Sequence, residues 1–145
     1  MFQRLLIFAF LTIWSGASAQ EVGIRVGTIS GNAGFAVDGI FHTEDYRMHV
    51  DFGVYQDGAA IEVLWDLVYA PIFIDQLYGY IGFGTGAFFR SPALVGTMGE
   101  FGIEYQLTEY PIKIGLDWRP TFWIISETGF NGASFGLNVR WCFTP

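Results

Sequence analysis

The stretch Glu100–Pro120, EFGIEYQLTEYPIKIGLDWRP, constrains the fold more than any other part of the chain. Phe101, Ile103, Tyr105 and Leu107 alternate with Gly102, Glu104 and Gln106. Ile112, Ile114, Leu116 and Trp118 then alternate with Lys113, Gly115, Asp117 and Arg119. A period of two sends successive side chains to opposite faces of a strand. The link Thr108–Tyr110 is short and Pro111 stands where a strand can begin, so the two runs form a hairpin. One face of that hairpin is apolar and the other carries full charges. A soluble sheet turns such charges to water, whereas a membrane barrel turns the apolar face to lipid and the charges to its interior.

The chain begins Met1-Phe2-Gln3-Arg4, followed by an apolar run Leu5–Ile13 and by Ala17-Ser18-Ala19. A basic start, a short apolar core and small residues at a cleavage point make a secretory signal peptide, and the run is too short for a spanning helix. The expectation is a signal peptide over 1–19, cleaved after Ala19, and a single domain over 20–145. Loss of Arg4 with the leader leaves six basic residues against fourteen acidic ones, a balance that argues against nucleic acid as a partner. Cys142 is the single cysteine, so the fold stands without an internal disulfide. Charged residues make up only 14% and hydrophobic residues 52%, against about 25% charged in ordinary domains. After the leader no apolar run reaches helix-spanning length. An exported chain of this kind embeds in a membrane by closing a barrel that pairs every backbone group.

Taken in order, Val22, Ile24, Val26 and Thr28 alternate with Gly23, Arg25 and Gly27 in a first strand, and Ser30–Gly34 is a turn cluster. A second strand, about Phe35 to His42, alternates poorly and leaves its facing open, and Thr43-Glu44-Asp45 is the next turn. A third strand sets Tyr46, Met48, Val50, Phe52 and Val54 against Arg47, His49, Asp51, Gly53 and Tyr55. Asp57-Gly58 marks a hairpin. The fourth strand sends Ile61, Val63, Trp65, Leu67 and Tyr69 outward and Glu62, Leu64, Asp66 and Val68 the other way. Ala70–Gln76 is a longer apolar connection. The fifth strand, Leu77 to Phe89, turns Tyr78, Tyr80, Gly82, Gly84, Gly86 and Phe88 inward, and Arg90–Leu94 is a loop. The hairpin over 100–120 supplies the sixth and seventh strands, the seventh reaching towards Trp123, and Ser126–Gly132 is the last loop. The eighth strand places Phe135, Leu137, Val139, Trp141 and Phe143 outward and Gly136, Asn138, Arg140 and Cys142 inward. The predicted fold is therefore all-β: an eight-stranded antiparallel up-and-down transmembrane β-barrel in the bacterial outer membrane. With both termini on the periplasmic side, Tyr46, Tyr69, Tyr105, Trp141 and Phe143 fall near one interface. Phe89, Trp118, Phe122 and Trp123 fall near the other, as aromatic girdles require.

The succession Tyr78-x-Tyr80-x-Gly82-x-Gly84, Gly102-Ile103-Glu104-Tyr105, the run Pro111–Pro120 and Arg140-Trp141-Cys142-Phe143 resembles the small outer-membrane barrels of Bacteroidetes-type bacteria, described as porin-like or OmpX/OmpA-like. Leu137-x-Val139-x-Trp141-x-Phe143 resembles the C-terminal signal read by the barrel-assembly machinery. The resemblance implies location and architecture, with outer-membrane lipid and that machinery as partners, more than any chemistry.

The candidate functional feature is the inward charge set: Arg25, Arg47, Lys113, Arg119 and Arg140 with Asp51, Glu62, Asp66, Glu100, Glu104 and Asp117. Charges buried without partners cost several kcal/mol each. An eight-stranded interior is just wide enough for side chains to fill, so ion pairs can plug the barrel and hold it closed. The sharper alternative is a narrow polar passage in the space left by inward glycines. Gly82–Ala87 resembles a dinucleotide loop but lies within an alternating strand rather than before a helix. His42 and His49 have no serine at a recognisable offset and no paired metal spacing, so no catalytic residue, metal or cofactor is expected. Exposed loops of about 4–7 residues weaken a receptor or adhesin reading. The apolar connection Ala70–Gln76 is a candidate seat for a periplasmic partner. Two other classes remain: a soluble lipocalin-like binder, which would need its charges outside, and a lipid-modifying outer-membrane enzyme relying on His49.

Overall fold

The computed structural model describes residues 20–42 and 44–143; the expected leader over 1–19 lies outside the described residues. Ten strands follow in order: β1 (Glu21–Ile29), β2 (Asn32–His42), β3 (Arg47–Tyr55), β4 (Gly58–Ile72), β5 (Ile74–Phe89), β6 (Leu94–Gln106), β7 (Ile112–Trp118), β8 (Thr121–Ile125), β9 (Gly129–Asn131) and β10 (Phe135–Cys142). All pairings are antiparallel. Each of β1 to β5 pairs with the next in sequence, β5 pairs with β6, β6 pairs with both β7 and β8, and β7 pairs with β10, which returns to β1. β7 and β8 are two halves of one stave, and β9 and β10 are two halves of the next. The result is a closed antiparallel barrel of eight staves, with no helix among the described residues.

The seventh stave breaks at Arg119-Pro120 because proline offers no N–H to the ladder. The neighbouring backbone groups are satisfied elsewhere: Gly99 N donates to Pro120 O at 2.9 Å and Arg119 N donates to Ser134 O at 2.8 Å. The first hairpin turns on Ser30 and Gly31, both at positive φ (48° and 81°), the pairing that matches the twist of two-residue hairpins. Both described chain ends meet at one end of the barrel, where Phe143 N donates to Gln20 O at 2.7 Å. The connections before β3, β5 and β7 share that end. The other end carries the turns at Ser30-Gly31 and Gln56-Asp57 and the loops before β6 and β9.

Three local expectations change. The connection expected over Ala70–Gln76 is instead the tip of a long hairpin, with Phe73 alone, at φ 62° and 97% exposed, between β4 and β5. Leu67 is a bulge: Asp66 pairs with Gly82 and Val68 with Ile81. One extra residue reverses the facing beyond it, so Val68 points outward and Tyr69 inward, opposite to the expectation for both. β6 also reaches back to Leu94, the last residue of the expected loop, through residues 95–99, which the alternation assigns to no strand.

The alternation itself holds. Ile114, Leu116 and Trp118 point outward and exposed, while Lys113 and Asp117 are buried. Parity runs on through Pro120, so Thr121 and Trp123 are buried inside. Trp123 therefore belongs to the interior, not to an outer aromatic girdle. With Ile29, Tyr55, Ala60, Phe88 and Leu94 it forms an apolar layer across the loop end of the barrel.

Candidate functional site: the charged interior

Every inward residue on which the charge reading rested is buried: Arg25, Arg47, Asp51, Glu62, Asp66, Glu100, Glu104, Lys113, Asp117, Arg119 and Arg140. Glu21, Asp38, His49 and Asn138 are buried beside them. Below the apolar layer, Arg119 leaves the stave break and reaches across the barrel. Its Nη1 donates to Asp51 and, at 2.9 Å, to Glu62, while Nε and Nη2 donate to Glu100 Oε1 at 3.0 and 2.9 Å. Beside it Arg25 grips Asp117 with Nη2 at 2.6 Å, and Asn138 donates to the same carboxylate at 3.0 Å.

Nearer the terminal end, Arg140 donates to Asp38 at 2.7 Å, to Glu21 at 3.1 Å and to Glu104. Arg47 donates to Asp66, and to Glu104 at 3.1 Å, with its guanidinium 4.3 Å from the Tyr69 ring centroid. The bulge at Leu67 is what delivers Tyr69 here: its hydroxyl donates to Glu104 at 2.6 Å and accepts from Lys113 at 3.1 Å. Lys113 also holds Glu21 at 2.5 Å. A sequence that alternates charge with grease on six staves, joined by Asp38 from a seventh, thus converges on one connected network.

The inward glycines make room for these long side chains. A Cβ on Gly136 would strike the Arg25 guanidinium, and one on Gly102 would strike the Tyr80 ring. Large neighbours rather than an open channel occupy that space. At the terminal end a recess of about 630 Å³ remains, lined among others by Glu21, His42, Tyr69, Tyr78, Lys113 and Cys142.

The charges do not balance. Eight carboxylates (Glu21, Asp38, Asp51, Glu62, Asp66, Glu100, Glu104 and Asp117) are buried with five fixed cations (Arg25, Arg47, Lys113, Arg119 and Arg140). Asp38 and Asp51 lie directly opposite each other on β2 and β3. The partners of His49 are Arg47, Asp66, Glu100 and the Tyr80 ring.

The outer wall is the complement of this interior. Leu137, Val139, Trp141 and Phe143 all point outward and exposed, as do Ile24, Phe52, Ile81 and Ile103 on other staves. The charged residues that are not buried, namely Glu44, Asp45, Asp57, Asp75, Arg90, Glu109 and Glu127, all lie in turns, loops or the β4–β5 tip. No charged side chain stands on the outer face between the two ends among the described residues. Comparison with protein-family models, with curated proteins and with solved structures finds no match for this chain.

Proposed function

We propose that the chain is an integral outer-membrane β-barrel of the small porin-like or OmpX/OmpA-like kind, and that its role is structural. The observation that carries this reading is the uncharged outer wall around a charged interior. Exposed apolar patches on soluble monomers rarely exceed a few hundred Å², whereas here the apolar surface encircles all eight staves. From Phe135 to Phe143 the outward residues of one stave climb about 20 Å along the axis, allowing about 3.3 Å per residue and a tilt of about 40°. That is close to the apolar band of about 25 Å found on such barrels. Below the loop end, where β9 pairs with β8 alone, backbone closure leaves no free edge for lipid to strand. The leader expected over 1–19 and the Leu137–Phe143 pattern fit export and delivery to the barrel-assembly machinery.

Within this reading the interior favours a plug over a passage. Arg119 and Arg140 each bind three carboxylates across the lumen, and the apolar layer of Phe88, Leu94 and Trp123 lies across one end. A lipocalin-like binder needs an apolar cavity, and this lumen is filled with ion pairs. Membrane fractionation tests the assignment. Expressed with its leader in a Gram-negative host, the protein should float with outer-membrane vesicles, resist carbonate extraction and show heat-modifiable migration. Recovery in buffer without detergent overturns the reading. Open channels from the refolded protein in a planar bilayer would overturn the plugged interior while leaving the membrane assignment in place.

A further inference from the structure

The connection between β4 and β5 turns on a single residue, Phe73, at φ 62° and 97% exposed. We propose that this tip inserts into the headgroup layer of the leaflet at the terminal end of the barrel, with the Phe73 ring as its anchor. The inference rests on the membrane reading of the outer wall and extends it to a turn beyond the aromatic rim.

A left-handed backbone suits glycine or asparagine in a turn, and a bulky side chain there is an outlier. Outliers of this kind gather where a function needs them. Here the turn holds up an aromatic ring that its own chain leaves almost uncovered. Four successive apolar residues, Pro71–Ile74, form the tip, and Ile74 is itself 52% exposed. The other two connections at this end differ in kind. The one before β3 carries Glu44 and Asp45, the one before β7 carries Glu109, and all three are exposed.

The occupant follows from what the tip continues. Val68, Ala70 and Ile72 line one apolar groove with Ile81, Phe101 and Ile103 of the outer wall, so the surface assigned to lipid runs on to the hairpin without a break. The register sets the depth. Pro71 pairs with Tyr78 and Tyr78 with Glu104, next to the outward aromatic Tyr105 near this end. Phe73 stands beyond Pro71 by about 5 Å, allowing about 3.3 Å per residue and a tilt of about 40°, and the stagger between tilted staves adds a few ångströms. The polar layer of a bilayer is about 5–8 Å thick on each side, and aromatic rings favour that half-wet level. Asp75 is exposed just past the ring, where its carboxylate meets the water side of the same layer. With Glu44, Asp45 and Glu109 also at this end, the contact is apolar and is not a recognition of anionic headgroups.

Photo-crosslinking of the full barrel in outer-membrane vesicles tests the assignment. Phe73, Glu109 and, on the outer wall, Leu137 are each replaced in turn by p-benzoylphenylalanine. All three side chains are exposed, so the replacements leave the fold intact, which heat-modifiable migration checks. Illumination should join position 73 to phospholipid, with a yield close to that at 137 and several-fold above that at 109. Lipid adduct at 137, with a yield at 73 no greater than at 109, overturns the proposal and leaves the membrane reading standing. A discrete protein adduct at 73 in place of lipid also overturns it and gives the tip to a polypeptide partner. Lipid adduct at none of the three positions removes the membrane reading and this proposal with it.

Discussion

Replacing Ile24 by arginine separates a wall that meets lipid from one that meets water. Ile24 is the fourth of nine residues in β1, points outward at 56% exposure, and lies between Val37 of β2 and Val139 of β10. Arginine on the outer face of a barrel costs about 2–4 kcal/mol near the bilayer midplane and about 0–1 kcal/mol near the interfaces. The same exchange on a wall exposed to water stays within about 0.5 kcal/mol. At 1.4 kcal/mol per factor of ten, the lipid case shifts the unfolding equilibrium about 30-fold to nearly 1,000-fold. Phe89, outward at the loop end of β5, supplies the depth control, and Phe89→Arg should cost about 1 kcal/mol or less. Equilibrium unfolding in guanidinium, with the barrel in phospholipid vesicles and tryptophan fluorescence as the signal, measures both. An Ile24→Arg value within about 0.5 kcal/mol of wild type, or equal losses at the two depths, refutes the membrane reasoning.

Two further outcomes follow from the interior and from the bulge. Arg119→Met should destabilise the barrel by at least about 3–5 kcal/mol, because it strands Asp51, Glu62 and Glu100 together; adding Glu100→Gln should recover part of the loss in the same unfolding assay. Deleting Leu67 should be tolerated within about 1 kcal/mol, since Asp66, Val68 and Tyr69 then follow as in, out, in without a bulge. Deleting Val63 from the regular part of β4 should abolish heat-modifiable folding, because every residue on one side of the gap changes face.

The sequence made the outer wall legible because charge and grease alternate there with few exceptions. Lys113, Asp117 and Arg140 could be placed from their neighbours alone. Asp38 could not: β2 turns Ala36 and Ile40 inward beside it while Val37 and Phe35 point outward, so both faces read as apolar. Glu21 stands at the first position of β1, where no preceding residue establishes a rhythm. Tyr69 was hidden by the bulge, since Leu67, Val68 and Tyr69 are all acceptable on either face and nothing local marks the extra residue. Trp123 follows a proline that looks like a terminus, yet parity carries through it. The meeting of His49, Asp66 and Glu100 depends on the register of β3, β4, β5 and β6 together, which no single stretch encodes.

The apolar layer made by Ile29, Tyr55, Phe88, Leu94 and Trp123 gives the lumen a direction. The recess lies at the mouth that holds the two described chain ends, and a lumen plugged as proposed would admit solutes from that side alone. In a vesicle with every barrel inserted the same way, the charged middle would answer to the solution on one side and be blind to the other. A membrane carrying such a protein gains a set of ionised groups that belong, chemically, to a single compartment.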